Sequence, residues 1–196
     1  MAQGIGFILV MLVLLMPVLS YNRFVTQRQL IQSAWASIDA DLQRRYDLIP
    51  NLVETVKGYA GHERATLQAV ADTRARAMAA TGNPAQRAVA EAPLQGALGR
   101  LLAVAEAYPD LKADRSFLEL QHELTSTEDR IQASRRFYNG RVQELNRRVQ
   151  AFPSSLIAHQ FGFKAAEFFE LDPATRSEVE APPTIDLGDG GVSPSP

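Results

Sequence analysis

Arg44, Arg45, Asp47, Asn51, Glu54, Lys57 and the pair His62-Glu63 crowd into one short stretch, set among the apolar residues Leu48, Ile49, Leu52, Val53 and Val56. Cations and carboxylates at that density can pair with each other, hold a charged ligand, or shift one another's protonation. His62-Glu63 opens like the zinc-protease pattern His-Glu-x-x-His, but position 66 is Thr66, so the second imidazole is missing. Glu119-x-x-His122 has the spacing that aims two metal ligands inward from one helix. Such a site needs a second copy on another helix, and no Glu stands three residues before His62 or His159. The chain has no cysteine, which removes thiolate nucleophiles, cysteine-held zinc, disulfides and a lipid-bearing cysteine. A nucleophile elbow, a P-loop and a dinucleotide fingerprint are also missing. The residues therefore predict no catalytic group, no metal and no cofactor, and a protein that is not an enzyme.

What stands out instead is polar chemistry placed beside apolar helix positions. Arg44, Arg45, Asp47, Pro50, Asn51, Glu128, Arg135, Tyr138 and Asn139 are the candidates for structural or partner contacts, with Glu54, Lys57, Arg136 and Asn146 near them. One account is a charged cluster that binds a partner or ligand. The other is a set of ion pairs and amides that fixes the register of packed helices. The second is preferred, because no catalytic geometry converges in the pattern.

These residues need elements to hold them. Residues 4–20 carry no charge and, at roughly 17 residues, reach the short end of a membrane span. Tyr21 supplies an interfacial aromatic, and Arg23 and Arg28 can reach lipid head groups, so these three are the lipid-facing candidates. Arg44 and Arg45 lie too far along a straight helix, at ~1.5 Å per residue, to join them. A cleaved signal peptide would need basic residues before the apolar run and a small-x-small site after it. Met1-Ala2-Gln3 and Val18-Leu19-Ser20 provide neither, so a retained anchor is expected. Basic residues follow the span and none precedes it, which predicts an outer amino terminus and a cytoplasmic domain.

Beyond the anchor, Ile31, Trp35, Ile38, Leu42, Tyr46 and Ile49 recur at helical spacing. Pro50 then interrupts the pattern, with Asp47 as a natural N-cap ahead of it, so a chain-reversing corner is expected there. Leu52, Val56, Tyr59, Leu67 and Val70 mark a second helix, and Gly82-Asn83-Pro84 ends it and starts a third. That third helix carries Leu94, Leu98 and Leu101 and stops at Pro109. Ser116-Phe117-Leu118-Glu119 has capping-box spacing for a fourth, although the helix can begin as early as Asp110. Its stripe of Phe117, Leu120, Leu124, Ile131, Tyr138, Val142 and Leu145 suits long antiparallel neighbours. Pro153 ends it, and a short amphipathic piece follows from Ser154 to Phe163. Phe161, Phe163, Phe168 and Phe169 read equally as a lid over the bundle end and as a membrane or partner contact.

The expected fold is all-α: an N-terminal transmembrane helix continuing into an antiparallel bundle of about four long helices. The anchor takes residues 1–22, the bundle 23–164, and an acidic, Gly/Pro-rich tail, partly disordered, takes 165–196. With 20 basic and 22 acidic residues the formal charge is −2, so no field exists to draw in nucleic acid.

The stretch Arg44-Arg45-Tyr46-Asp47-Leu48-Ile49-Pro50-Asn51-Leu52-Val53, continuing through Val56-Lys57-Gly58-Tyr59 to His62-Glu63, resembles the motif of the LemA family. So do Tyr21-Asn22, Trp35, Ile38-Asp39, the run Ala105 to Ala113, Phe117, Leu120-Gln121 and Glu128. Arg135-Arg136-x-Tyr138-Asn139, Asn146, Phe152-Pro153-Ser154 and Phe161-Gly162-Phe163 continue the resemblance to about Leu171. Leu145 departs from it, since relatives often place tyrosine there, and the tail is more acidic and Gly/Pro-rich than the family requires. The resemblance implies a single-pass protein of the bacterial inner (plasma) membrane, with no catalytic residues to carry over. Some relatives are associated with building or remodelling internal membranes, which by analogy implies a scaffold or adaptor. The expected partners are the lipid bilayer, through the N-terminal helix, and an unidentified membrane or envelope protein; self-association is left open and nucleic acid is not expected. The alternatives are a metal- or small-ligand-binding bundle with enzymatic activity, and a regulator that presents substrates to a membrane protease.

Overall fold

The computed structural model describes the backbone of residues 2–170, and the side chains of Met11 and of residues 15–170. Among the described residues it contains six helices and no strand, so the fold is all-α as the periodicity predicts. They are α1 (Ala2–Tyr59), α2 (Arg64–Ala79), α3 (Pro84–Glu106), α4 (Pro109–Lys112), α5 (Arg115–Gln150) and α6 (Ser154–Phe161). The anchor expected over 1–22 falls mostly on residues whose side chains lie outside the described ones. Among the described residues no helix is long and apolar enough to cross a membrane. Of the expected tail, residues 171–196 lie outside the described ones.

The corner expected at Asp47–Pro50 does not exist. Helix α1 runs straight through Pro50, and the chain reverses only between Ala60 and Glu63. The reason lies in the stripe. Ile49, Leu52 and Val56 continue the buried face of Ile38, Leu42 and Tyr46 without a change of phase, while Pro50 points to solvent. Burying each of those three is worth roughly 1.5–3 kcal/mol, against roughly 3 kcal/mol for a proline in a helix interior. The proline's other effect is to leave the carbonyl of Tyr46, four residues back, without its helical donor. Arg74 of α2 fills that gap: its Nε donates to the Tyr46 carbonyl at 2.7 Å. Asp47 consequently caps nothing; it accepts a hydrogen bond from the Gln43 amide at 2.9 Å.

Three helix starts follow local chemistry. Asn83 caps α3, its side-chain oxygen accepting from the Gln86 N–H at 2.8 Å, with Pro84 in the first turn. Gly82 before it adopts φ +147°, where a Cβ would collide with the Gln86 side chain. The cap of α5 is Asp114 rather than Ser116: its carboxylate accepts from the Phe117 N–H at 2.9 Å, and the Tyr59 hydroxyl donates to its other oxygen. The short α4 intervenes because Pro109 opens a new first turn that ends at Lys112.

Cross-links fix the directions. Arg45 meets Glu128, Asp41 meets Ser134 and Trp35 meets Tyr138, so α5 descends as α1 ascends. Asp39 meets Arg87 and Arg45 meets Glu91, so α3 runs parallel to α1, with α2 returning between them. Four helices therefore surround the core only beside the Asp39–Tyr59 part of α1. Below that level α1 and α5 form a two-helix stem. Its exposed groove is closed by α6 and by the extended strap of residues 163–170. Gly162, at φ +69°, ends α6 in the left-handed conformation and turns the chain into that strap.

Candidate functional site

The stem and the four-helix part each hold a polar cluster, and both are built from residues that interrupt apolar stripes. In the upper cluster Arg45 occupies a stripe position of α1 and is 2% exposed. One end of its guanidinium meets the Glu91 carboxylate of α3, and the other reaches Glu128 of α5 at 2.9 Å. The Tyr46 hydroxyl donates to the second oxygen of Glu91. Burial, and then the bond to Glu91, push the Tyr46 phenol well above its ordinary pKa, so it stays a donor. Glu128 also accepts from the Gln132 amide at 3.1 Å. One cation thus ties together three helices, of which α3 packs mainly on α2, and α5 mainly on α1.

Two further links run beside it. Arg87 meets Asp39 at 2.8 Å, and Asp41 accepts from Ser134 at 2.9 Å with Arg130 at 3.7 Å. Arg44 reaches only Glu123, at 3.8 Å across a half-exposed pair, a contact of little energetic weight. Asp47, Pro50 and Asn51 face solvent on the opposite side of α1. So the dense stretch divides: Arg45 turns inward, and its neighbours decorate the surface.

The lower cluster binds the strap. Asn146 of α5 reads the backbone of Ala166 in both directions, donating to its carbonyl at 2.9 Å and accepting from its N–H at 2.8 Å. Two helical turns earlier Asn139 accepts from the Phe169 N–H at 2.9 Å and donates to the Glu170 carboxylate at 2.9 Å. Tyr138 donates to the Glu167 carbonyl at 2.9 Å, and burial together with the Glu167 charge pushes its phenol up to about 12. Arg135 lies over the Phe169 ring, 5.2 Å from its centre, and Trp35 meets that ring edge-on. An extended backbone needs partners for its N–H and carbonyl groups. The asparagine amides stand in for a neighbouring strand.

The aromatic residues of the carboxyl-terminal part divide by role. Phe163 and Phe169 are buried against α1 and α5, whereas Phe161 and Phe168 are exposed. Tyr21 contacts Phe161 and Phe163 edge-on, at 5.0 and 5.5 Å, and Arg28 lies 5.9 Å from the Phe163 ring centre. Tyr21, Arg23 and Arg28 all remain exposed.

Among the described residues no three His, Asp or Glu side chains gather to hold a metal. Glu119 is paired with Arg115 at 3.0 Å, one turn away on an exposed face. The residue the sequence reading misses is Glu91. Its signal was a lone carboxylate in the run Ala88-Val89-Ala90-Glu91-Ala92, in phase with Leu94 and Leu98. Tyr46 as a hydrogen-bond donor and Arg74 as the proline's complement are missed too.

A model of the LemA family matches residues 34–186. The chain is 28% identical over 187 residues to the magnetosome protein MamQ 1 of Paramagnetospirillum magneticum, covering 83% of this chain and 69% of that protein. To the magnetosome protein MamQ of Magnetospirillum gryphiswaldense it is 27% identical over the same length and coverage. To protein LemA of Metamycoplasma hominis it is 24% identical over 159 residues, covering 81% of this chain and 73% of that one.

Proposed function

This chain belongs to the LemA family, and from that premise we propose that it is a non-enzymatic, membrane-anchored scaffold or adaptor of the bacterial inner membrane. Residues 1–22 anchor it as a single span, and the bundle stands in the cytoplasm. The observation that carries the reading is the continuity of α1, one helix from Ala2 to Tyr59. The same rod that leads out of the uncharged segment forms the spine of the four-helix part, so position relative to the bilayer is passed to the bundle without a hinge. A second support is the use made of the polar residues: Arg45, Glu91, Glu128, Asn139 and Asn146 are all engaged in joining elements of the chain to each other. The word magnetosome in the relatives' names favours membrane organisation or remodelling as the process.

Three measurements test this. A reporter fused after Pro196 should be active only where a cytoplasmic fusion is, and carbonate washing should leave the protein in the membrane pellet. Crosslinking in native membranes should capture a defined envelope protein. Stoichiometric metal in protein purified without a chelating tag, lost on Glu119→Ala, would overturn the non-enzymatic scaffold in favour of a metal-binding bundle.

A further inference from the structure

Helix α6 is apolar on two sides. Ile157 and Ala158 face inward and pack with Phe24, Leu145 and Phe163. Its other side, with Phe152 two residues ahead of the helix, leaves Phe152 81%, Leu156 61% and Phe161 55% exposed. Large side chains this open on neighbouring turns mark a surface that something covers.

The level at which they lie identifies the cover. Pro153 and Ser154 share one groove with Met16, Ser20 and Phe24 of α1, and Phe161 touches Tyr21. The exposed face of α6 is therefore side by side with the exposed apolar residues Leu15, Met16, Val18 and Leu19. Charge points the same way. No Asp or Glu occurs before Asp39, nor between Leu145 and Ala166, so the side chains at this end of the stem include Arg23, Arg28, Arg147, Arg148 and Lys164 and few acids. Among the described residues Glu144, one turn earlier, offsets part of that charge by pairing with Arg147 and Arg148. Apolar residues beneath a basic collar match an anionic bilayer surface, which attracts each nearby cation.

We propose that residues 152–161 form a second membrane contact: an in-plane foot whose Phe152, Leu156 and Phe161 enter the head-group and upper acyl region of the leaflet around α1. The foot rests on the anchor reading above, since it uses α1 to define where the bilayer lies. It braces the stem at a second point, so the bundle is held at a fixed tilt instead of swivelling about a single helix.

Because the chain has no cysteine, one introduced thiol reports one position. The full chain carrying Leu156→Cys or Phe161→Cys, with Leu15→Cys and Gln95→Cys as references, is labelled with an environment-sensitive fluorophore. Each is reconstituted in vesicles of phosphatidylethanolamine and phosphatidylglycerol with nitroxide lipids, the spin label shallow or deep. The foot predicts that the Leu156 and Phe161 positions lose fluorescence to the shallow nitroxide more than to the deep one. Leu15 should be quenched by the deep label and Gln95 by neither. Quenching at Leu15 alone, with the α6 labels open to aqueous iodide, removes the foot and leaves the anchor. Quenching at neither place removes both readings. Labels on α6 shielded from iodide yet untouched by lipid nitroxides would mean that protein covers this face, which also overturns the lipid contact.

Discussion

Arg45 sits between two carboxylates with almost no solvent around its guanidinium, and that arrangement makes a sharp prediction. A buried ion pair need not stabilise a fold against an apolar alternative, but removing one partner leaves buried charge unmatched. Arg45→Met should lower unfolding stability by about 3–5 kcal/mol, read from urea titrations. Adding Glu91→Leu, Glu128→Leu and Tyr46→Phe should return much of that loss, because the combined variant strands neither a carboxylate nor the Tyr46 hydroxyl. Arg45 and Glu128 were legible in the sequence, as charges that interrupt apolar stripes. Glu91 was not, because an alanine-rich helix tolerates a solvated carboxylate on any face and nothing local says which way it points. Pro50 offers a second test at this scale. Arg74→Met should cost about 1–3 kcal/mol, by leaving the Tyr46 carbonyl without a donor. In a Pro50→Ala background the restored amide can reach that carbonyl, so the same Arg74→Met change should cost measurably less. Equal losses in the two backgrounds would mean that Arg74 acts through something else.

Elements are held by polar contacts of two kinds: in a local one both partners could be read in advance, whereas in a distant one the residues could be singled out but not paired. Gly82-Asn83-Pro84 announced both a helix end and a helix start, because cap, turn and first-turn proline are neighbours in the chain. At α5 the capping-box spacing pointed to Ser116, but Asp114 takes the cap, and its other oxygen accepts from Tyr59, which the fold brings from α1. The carboxyl of Asp114 is held below its ordinary pKa by the Phe117 N–H and then by Tyr59. A lowered carboxyl pKa means that its stabilisation is full above the unfolded-state value and fades as pH falls through the folded one. Asparagine caps as well without titrating. Asp114→Asn should therefore lose less melting temperature than the parent between neutral pH and about pH 2. A parallel fall in both proteins would show that this cap does not contribute to acid sensitivity. The strap was not legible, since its backbone is satisfied by side chains 20 and 30 residues away. Because the Ala166 and Phe169 amides donate to Asn146 and Asn139, Asn146→Ala should speed hydrogen exchange at Ala166, and Asn139→Ala at Phe169. Exchange in the Asp39–Tyr59 part of the bundle should stay as it was.

At the scale of the molecule, periodicity supplied the helices and their antiparallel packing, but a single proline misplaced the architecture. Treating Pro50 as a break ends the first helix near Ile49 and makes the next ten residues part of the second; passing through it gives a rod with a hairpin packed beside its upper part. The decision turns on summed burial, since Ile49, Leu52 and Val56 on either side of the proline outweigh one lost hydrogen bond, and Arg74 supplies a donor in its place. That difference governs how the protein can act. A rod carries the orientation of its lower end to its tip, whereas a corner near Asp47 would place the α2 turn back near the stem. The two cases separate by a distance. With nitroxide labels at Asn22→Cys and Gly58→Cys, both exposed on α1, an unbroken helix places the pair roughly 54 Å apart. A reversal at Asp47 would bring them to roughly 24 Å. Pulsed dipolar spectroscopy should give one narrow distribution near the longer value, in detergent and in vesicles alike. A broad or short distribution would show that α1 bends or breaks at Pro50, and the direct mechanical link between the uncharged segment and the bundle would be lost with it.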